Sequence, residues 1–172
     1  MAPSRASEPE ARRPEPAAYY MPATEGSGLL PWTRLIERME TAQNYWVGTT
    51  RPDGRPHVMP VWGVWIEATF YFSTSPRSRK ARNLAENPQV VVHLESGDDV
   101  VVIEGTAEDV SDPSLLKRFA DAYNPKYDWN FSVDELQRGG VYAVTPRVAF
   151  SWLDSRGEGF SGTATRWRLA DG

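Results

Sequence analysis

Six to seven short β-branched or aromatic runs, separated by proline- and glycine-bearing turns, constrain what this chain can fold into. They cover residues 44–50, 57–66, 70–73, 90–94, 100–103, 141–152 and 160–169. Val90, Val91, Val92 and Val100, Val101, Val102, Ile103 are near-continuous β-branched stretches of the kind buried strands use. Arg51-Pro52-Asp53-Gly54 places proline and glycine where a type I turn wants them, and Gly97-Asp98-Asp99 makes a second turn. The strands do not alternate with long helical patterns, so a parallel βαβ sheet is excluded. The expectation is a mainly β, antiparallel barrel, small and closed, with short α-helices plugging its ends.

The helical signals are few and local. Leu35, Ile36, Met39 and Ala42 recur at helical spacing. Asp112-Pro113 is a cap followed by an N1 proline, opening a helix whose buried face is Leu115, Leu116, Phe119 and Tyr123. Ser132-x-x-Glu135 has capping-box spacing. Residues 1–28 are rich in Pro, Ala, Glu, Arg and Ser without apolar periodicity, and read as a disordered arm with Tyr19, Tyr20 and Met21 as local docking points. Residues 29–172 form the folded domain.

One helix carries a chemical signal. After Phe70-Tyr71-Phe72 the chain reads Ser73-Thr74-Ser75-Pro76-Arg77-Ser78-Arg79-Lys80-Ala81-Arg82, with Ser75 as the expected cap and Pro76 at the first helical position. Cations at a helix start oppose the macrodipole, which stability alone would avoid. Open amide N–H groups, hydroxyls and clustered cations describe a phosphate site. The plain alternative is a solvated basic face.

The exclusions are as informative. A net charge of −4 gives no drive toward nucleic acid. No apolar run reaches the roughly 20 residues that span a bilayer. The chain has no cysteine, which rules out disulfides and thiolate metal sites and fits the cytoplasm. It has two histidines, His57 and His93, too few for a three-histidine metal centre. His93 reads as structural, and His57 is the one weak catalytic candidate. Glu67, Glu95, Glu104, Asp98 and Asp99 read as solvated turn residues. Glycine-rich phosphate loops and dinucleotide fingerprints are missing. The closing Thr165-Arg166-Trp167-Arg168 reads as a solvent-facing arginine pair or, if it lines a groove, as a grip on an anionic flat ligand.

Taken in order, the motifs resemble the pyridoxamine 5′-phosphate oxidase family. The matching elements are Tyr71-Phe72-Ser73-Thr74, Ser78-Arg79-Lys80 and Asn83-Leu84-x-x-Asn87-Pro88. Tyr45-Trp46-Val47-Gly48-Thr49-Thr50-Arg51-x-Asp53-Gly54-Arg55-Pro56-His57-x-x-Pro60-Val61-Trp62, Glu104-Gly105 and Thr165-Arg166-Trp167-Arg168 look like its actinobacterial branch that uses coenzyme F420. The resemblance implies an FMN-binding split β-barrel, a homodimer with cofactor at the subunit interface, and hydride transfer between F420 and an unsaturated small organic acceptor. FMN is the alternative cofactor. An FMN-dependent oxidase or reductase, and a non-catalytic carrier of flavin, F420 or haem, are the alternative activities. By position, Arg79, Lys80 and Arg82 would hold the phosphate, with Ser73, Thr74 and Ser75 near it. Pro60, Val61 and Trp62 would line the ring, and Arg166 and Trp167 would approach from near the chain end. The C-terminal Arg-x-His element of pyridoxamine phosphate oxidases is replaced here by Arg166-Trp167-Arg168, which argues against that substrate.

Overall fold

Alternation of inward and outward residues curls one antiparallel sheet around a core. The computed structural model describes residues 8–14, 28–154 and 162–169. In chain order the elements are β1 (Ala11–Arg12), α1 (Trp32–Thr41), β2 (Tyr45–Thr50), β3 (Pro56–Val61), β4 (Gly63–Ile66), β5 (Thr69–Ser73), α2 (Arg79–Glu86), β6 (Gln89–His93), β7 (Asp99–Asp109), α3 (Pro113–Tyr127), α4 (Val133–Gly139), β8 (Val141–Leu153) and β9 (Thr165–Arg168).

The strand order is β1-β9-β8-β7-β6-β2-β3, with β4 and β5 joined to it through β8. Long β8 explains the branching. One edge of it pairs with β7 throughout, whereas the other pairs with β5 over residues 141–144 and with β9 over residues 148–151. The barrel is therefore split, and the expectation of a closed one is corrected: among the described residues β3 pairs only with β2. The run 57–66, expected as one strand, breaks at Trp62. Gly63 turns away to pair with Phe72, and the position admits only glycine, since a Cβ there would run into the Phe70 ring and the Tyr71 carbonyl. The run 100–103 extends to Asp109 through a bulge between Glu104 and Gly105. The described residues thus hold nine strands rather than six to seven.

Two cores result. The larger lies inside the sheet under α1 and contains Leu35, Met39, Val47, Phe70, Phe72, Val92, Ile103 and Trp167. The smaller packs α3 and α4 on the outside of β4, β5 and β8 through Val64, Leu116, Phe119, Tyr123, Leu136 and Val141. Of the face expected on α3, Leu115 is only partly buried and Ala120 takes its place. Asp112 caps α3, and Ser132 with Glu135 forms the capping box of α4, each such cap contributing about 1 kcal/mol.

Asp99 is corrected from a solvated turn residue to an anchor. It binds Arg34 at 2.6 Å and Arg38 at 3.0 Å, fixing α1 to the start of β7. Ala11 and Arg12, inside the stretch expected to be an arm, pair with Trp167 and Arg166. The rest of that expectation, including Tyr19, Tyr20 and Met21, falls largely outside the described residues, as does the start of the run 160–169.

Candidate functional site: two ends of one edge strand

The phosphate-like element forms at the exit of β5. The helix start expected at Ser75 is corrected to Ser78: its Oγ accepts the Ala81 N–H at 3.1 Å, and α2 begins at Arg79. Ser75 closes the preceding turn instead, its carbonyl accepting the Ser78 N–H at 2.8 Å and its Oγ the Arg77 N–H at 3.2 Å. Pro76 suits the second position of that turn. Ser73 Oγ and the Thr74 N–H both donate to the Gly140 carbonyl, at 3.0 and 3.2 Å, tying the turn to the end of α4. Lys80 Nζ reaches back to Thr74 Oγ1 at 3.2 Å.

Burial lowers the Lys80 pKa, so its charge is held at a cost. Among the described residues, none of Arg51, Arg77, Arg79, Lys80 and Arg82 forms an ion pair. Arg55, by contrast, is bound to Asp53 at 2.7 Å.

A buried asparagine seats this helix. Asn83 Nδ2 donates to Thr49 Oγ1 on β2 at 2.9 Å, and Asn83 Oδ1 is buried without a partner. Across the β2–β3 ladder, Thr49 faces His57, whose Nδ1 lies 3.4 Å from Thr49 Oγ1. Burial first, and then the positive charges of Arg51, Lys80 and Arg79, lower the His57 pKa. His57 is thus neutral at neutral pH and stands with the cations. His93 matches its structural reading, with Nδ1 2.8 Å from the Leu94 carbonyl.

Five residues along β3, about 16 Å at strand rise, lies an end of different character. A recess of about 370 Å³ is lined by Asn44, Pro60, Val61, Trp62 and Tyr123. Tyr127 stacks on Trp62 at 4.8 Å, and Trp129 stands edge-on to Trp62 at 6.3 Å. The Tyr127 hydroxyl accepts the Gly63 N–H at 3.0 Å and lies 2.8 Å from the Gln43 and Gly63 carbonyls. Lys126 Nζ donates to the carbonyls of Glu40 and Gly63 and to Tyr45 Oη, at 3.1, 3.2 and 2.8 Å. Burial brings its pKa down to about 8. Sequence reasoning missed Lys126, Tyr127 and Trp129. Only the aromatic richness of residues 123–131 hinted at them.

The structure thus brings Arg79 and Lys80 near His57 at one end of β3, with Ser73, Thr74 and Ser75 in the turn that leads into their helix and Arg82 further along it, and gathers Pro60, Val61 and Trp62 at the other end. It puts Trp167 elsewhere. That indole is wholly buried, edge-on to Trp32 at 5.5 Å, because its side of β9 faces the core. Arg166 faces outward over the Phe150 ring at 5.8 Å. No cluster of possible metal ligands occurs among the described residues.

A split barrel with unpaired cations at a capped helix start and an aromatic recess along the same edge strand has the architecture of flavin-binding split barrels. The chain belongs to the pyridoxamine 5′-phosphate oxidase family, whose model matches residues 34–165. No curated protein matches the sequence. Among solved structures it is similar to a conserved hypothetical protein from Mycobacterium tuberculosis, with 26% identity over 72% of this chain and 85% of that one and a TM-score of 0.65. It shares its fold with an F420 reductase (24% identity, 70% and 98% covered, TM-score 0.55). The haem storage protein HutZ from Vibrio cholerae also has this fold (20% identity, 66% and 86% covered, TM-score 0.54). Proteins with this fold thus include both a reductase and a haem storage protein. No described helix is long and apolar enough to cross a membrane.

Proposed function

We propose that this protein is an oxidoreductase that holds coenzyme F420 along β3 and acts on an unsaturated small organic acceptor. The observation that carries the reading is the half-buried Lys80, joined to Thr74 and sharing the first turns of α2 with Arg79 and Arg82, none of which forms an ion pair among the described residues. Such a cluster fits a phosphate, which would supply the missing counter-charge. Arg79, Lys80 and Arg82 would bind it, with Ser73, Thr74 and Ser75 offering hydroxyl and amide donors. Pro60, Val61 and Trp62 would give the ring a flat apolar wall and keep water from it. When bound, F420 supplies hydride chemistry, and the chain supplies position and a dry surface.

Two features favour F420 over FMN. Arg51 and Arg77 are cations left over beyond those a single phosphate needs, and F420 carries a carboxylate-rich tail. The fold likeness to an F420 reductase points the same way.

The working form is a homodimer. Along the outer face of β2, β3 and β6, Val58 and Val91 are exposed beside the side-chain-free Gly48, where a shallow groove of about 360 Å³ crosses the sheet. A second copy covering this face would bring its own outward Arg166 toward the cofactor, in a site shared by the subunits.

Titrating the cofactor-free chain with F420 and separately with FMN, by tryptophan fluorescence, tests the reading, with sedimentation for the dimer. Tight F420 binding that a Lys80→Ala/Arg82→Ala variant loses is expected. Tighter FMN binding moves the protein to the flavin enzymes. Binding of neither, or tight binding without reduction of any acceptor, removes the enzyme reading.

A further inference from the structure

The His57 end of β3 contains a hydrogen-bond chain that holding a phosphate does not require. Asn83 is wholly buried and Thr49 nearly so, at 0% and 4% exposure. Asn83 Nδ2 donates to Thr49 Oγ1 at 2.9 Å, while Asn83 Oδ1 goes without a partner. Burying an amide with one end unsatisfied costs stability that an aliphatic side chain would not. What the amide does here is occupy one lone pair of the Thr49 hydroxyl. That oxygen keeps a second lone pair and its own proton.

Both are within reach of His57. Thr49 Oγ1 lies 3.4 Å from His57 Nδ1 and 3.4 Å from the His57 carbonyl. These two contacts match the two charge states of the ring. With His57 neutral, the Thr49 O–H donates to Nδ1 and the ring proton sits on Nε2. With His57 charged, the Nδ1–H donates to the second lone pair of Thr49, and the Thr49 O–H turns to the carbonyl. The ring can therefore gain or lose its proton at the cost of one hydroxyl rotation.

The surrounding charges decide when that proton arrives. After burial, Arg51 from the β2–β3 turn and Lys80 and Arg79 from α2 lower the His57 pKa. Asp53 in the same turn is held by Arg55, and Glu104 of β7 lines the groove beside His57. The cations outweigh these carboxylates, since the net shift is downward. An anion seated among the cations cancels part of their field and favours the charged ring.

We propose that His57 is a further cation of the anion site, charged only while an anion is bound, and that Asn83 and Thr49 are positioning residues that let it take up the proton. The chain then draws a proton from solvent onto Nδ1 as the anion binds, and binding weakens as pH rises through neutrality. The proposal rests on the reading of α2 as an anion site, and is independent of which cofactor brings the anion.

Nitrogen-15 NMR of the full-length chain reads both ring nitrogens of His57, with His93 as internal control. Without ligand, His57 should be the Nε2–H tautomer and should titrate below an ordinary histidine. The probes are F420, FMN and inorganic sulfate, a dianion that does not itself titrate near neutral pH. Each should raise the proton affinity of His57 about tenfold and leave His93 alone. Sulfate affinity should fall severalfold from pH 5.5 to 7.5 in the native chain and stay level in His57→Gln. Thr49→Val should mix the ring tautomers and flatten the pH dependence. Thr49→Ser should restore both, which a packing role alone would not do. Backbone amide shifts along α2 report anion binding separately. Anion binding with an unmoved His57, or an Nδ1–H ring in the free protein, overturns the proposal and leaves the cofactor reading standing. An unchanged pH dependence in His57→Gln assigns the proton to another group and overturns it too. Sulfate and FMN effects without F420 binding remove the F420 reading alone, and no anion binding at α2 removes both.

Discussion

The two ends of β3 are prepared for ligands in opposite ways. At the His57 end, cations are gathered and left without carboxylates, and Asn83 keeps a buried acceptor unpaired. At the Trp62 end, the turn from β3 into β4 is tied by Tyr127 and Lys126, and only ring surface is left open. A charge cluster without counter-ions costs folding free energy until an anion arrives. A clamped aromatic corner is part of the fold itself and exposes only apolar area. The charged end should therefore matter for ligand and little for stability, and the aromatic turn should matter for both.

The sharpest separation comes from Lys80→Ala/Arg82→Ala. Two charge-assisted contacts at about 1.5–3 kcal/mol each predict a loss of about 100-fold or more in affinity for the phosphorylated cofactor. The melting temperature should stay level or rise, since repulsion is relieved and no ion pair is lost. Calorimetric titration and thermal unfolding read the two effects, and a lower melting temperature with intact affinity would invert the comparison.

Gly63→Ala should act the other way, costing about 2–3 kcal/mol in urea unfolding, because the added methyl runs into Phe70 and Tyr71. A cost below about 0.5 kcal/mol would mean that the β3–β4 corner yields easily. Tyr127→Phe keeps the stack on Trp62 but strands the Gly63 N–H. The expected loss is about 1–2 kcal/mol, and an unchanged unfolding midpoint would assign that clamp to solvent.

The smallest effect is a pH slope. Lys126 titrates at about 8 when folded and near 10.4 when unfolded, so between these values the unfolded chain binds the proton and the folded chain does not. Stability from this group therefore rises with pH from about 8, until the buried tyrosines, with raised pKa values, pull the other way above about pH 10. Unfolding at pH 7.5 and 9.5 should show the rise in the native chain and a flatter profile in Lys126→Met. Equal slopes would contradict the assignment.

Much of this was legible from local sequence. The β-branched and aromatic run at 44–50, the Arg51–Gly54 turn, the Asp112-Pro113 cap and the Ser132–Glu135 box describe interactions among near neighbours, and each formed as read, the strand starting at Tyr45. The cation cluster was legible too, although its helix begins at Ser78 because Ser75 is taken up by the turn before it. Arg166 and Trp167 marked the limit. Period-two alternation puts them on opposite faces, but it does not say which face meets the core. Trp32, brought in by α1 from far along the chain, settles that.

By itself, then, the sequence determined a mainly β antiparallel domain with capped short helices and a basic turn into α2, since these depend on backbone preferences and contacts a few residues apart. The tertiary structure decided that the barrel stays split, that Trp167 is core, and that Lys126 meets Tyr45 and Gly63 across 81 and 63 residues to build the aromatic corner. Those outcomes depend on which surfaces pack together and which charges lose water on packing, and spacing along a chain does not encode them residue by residue.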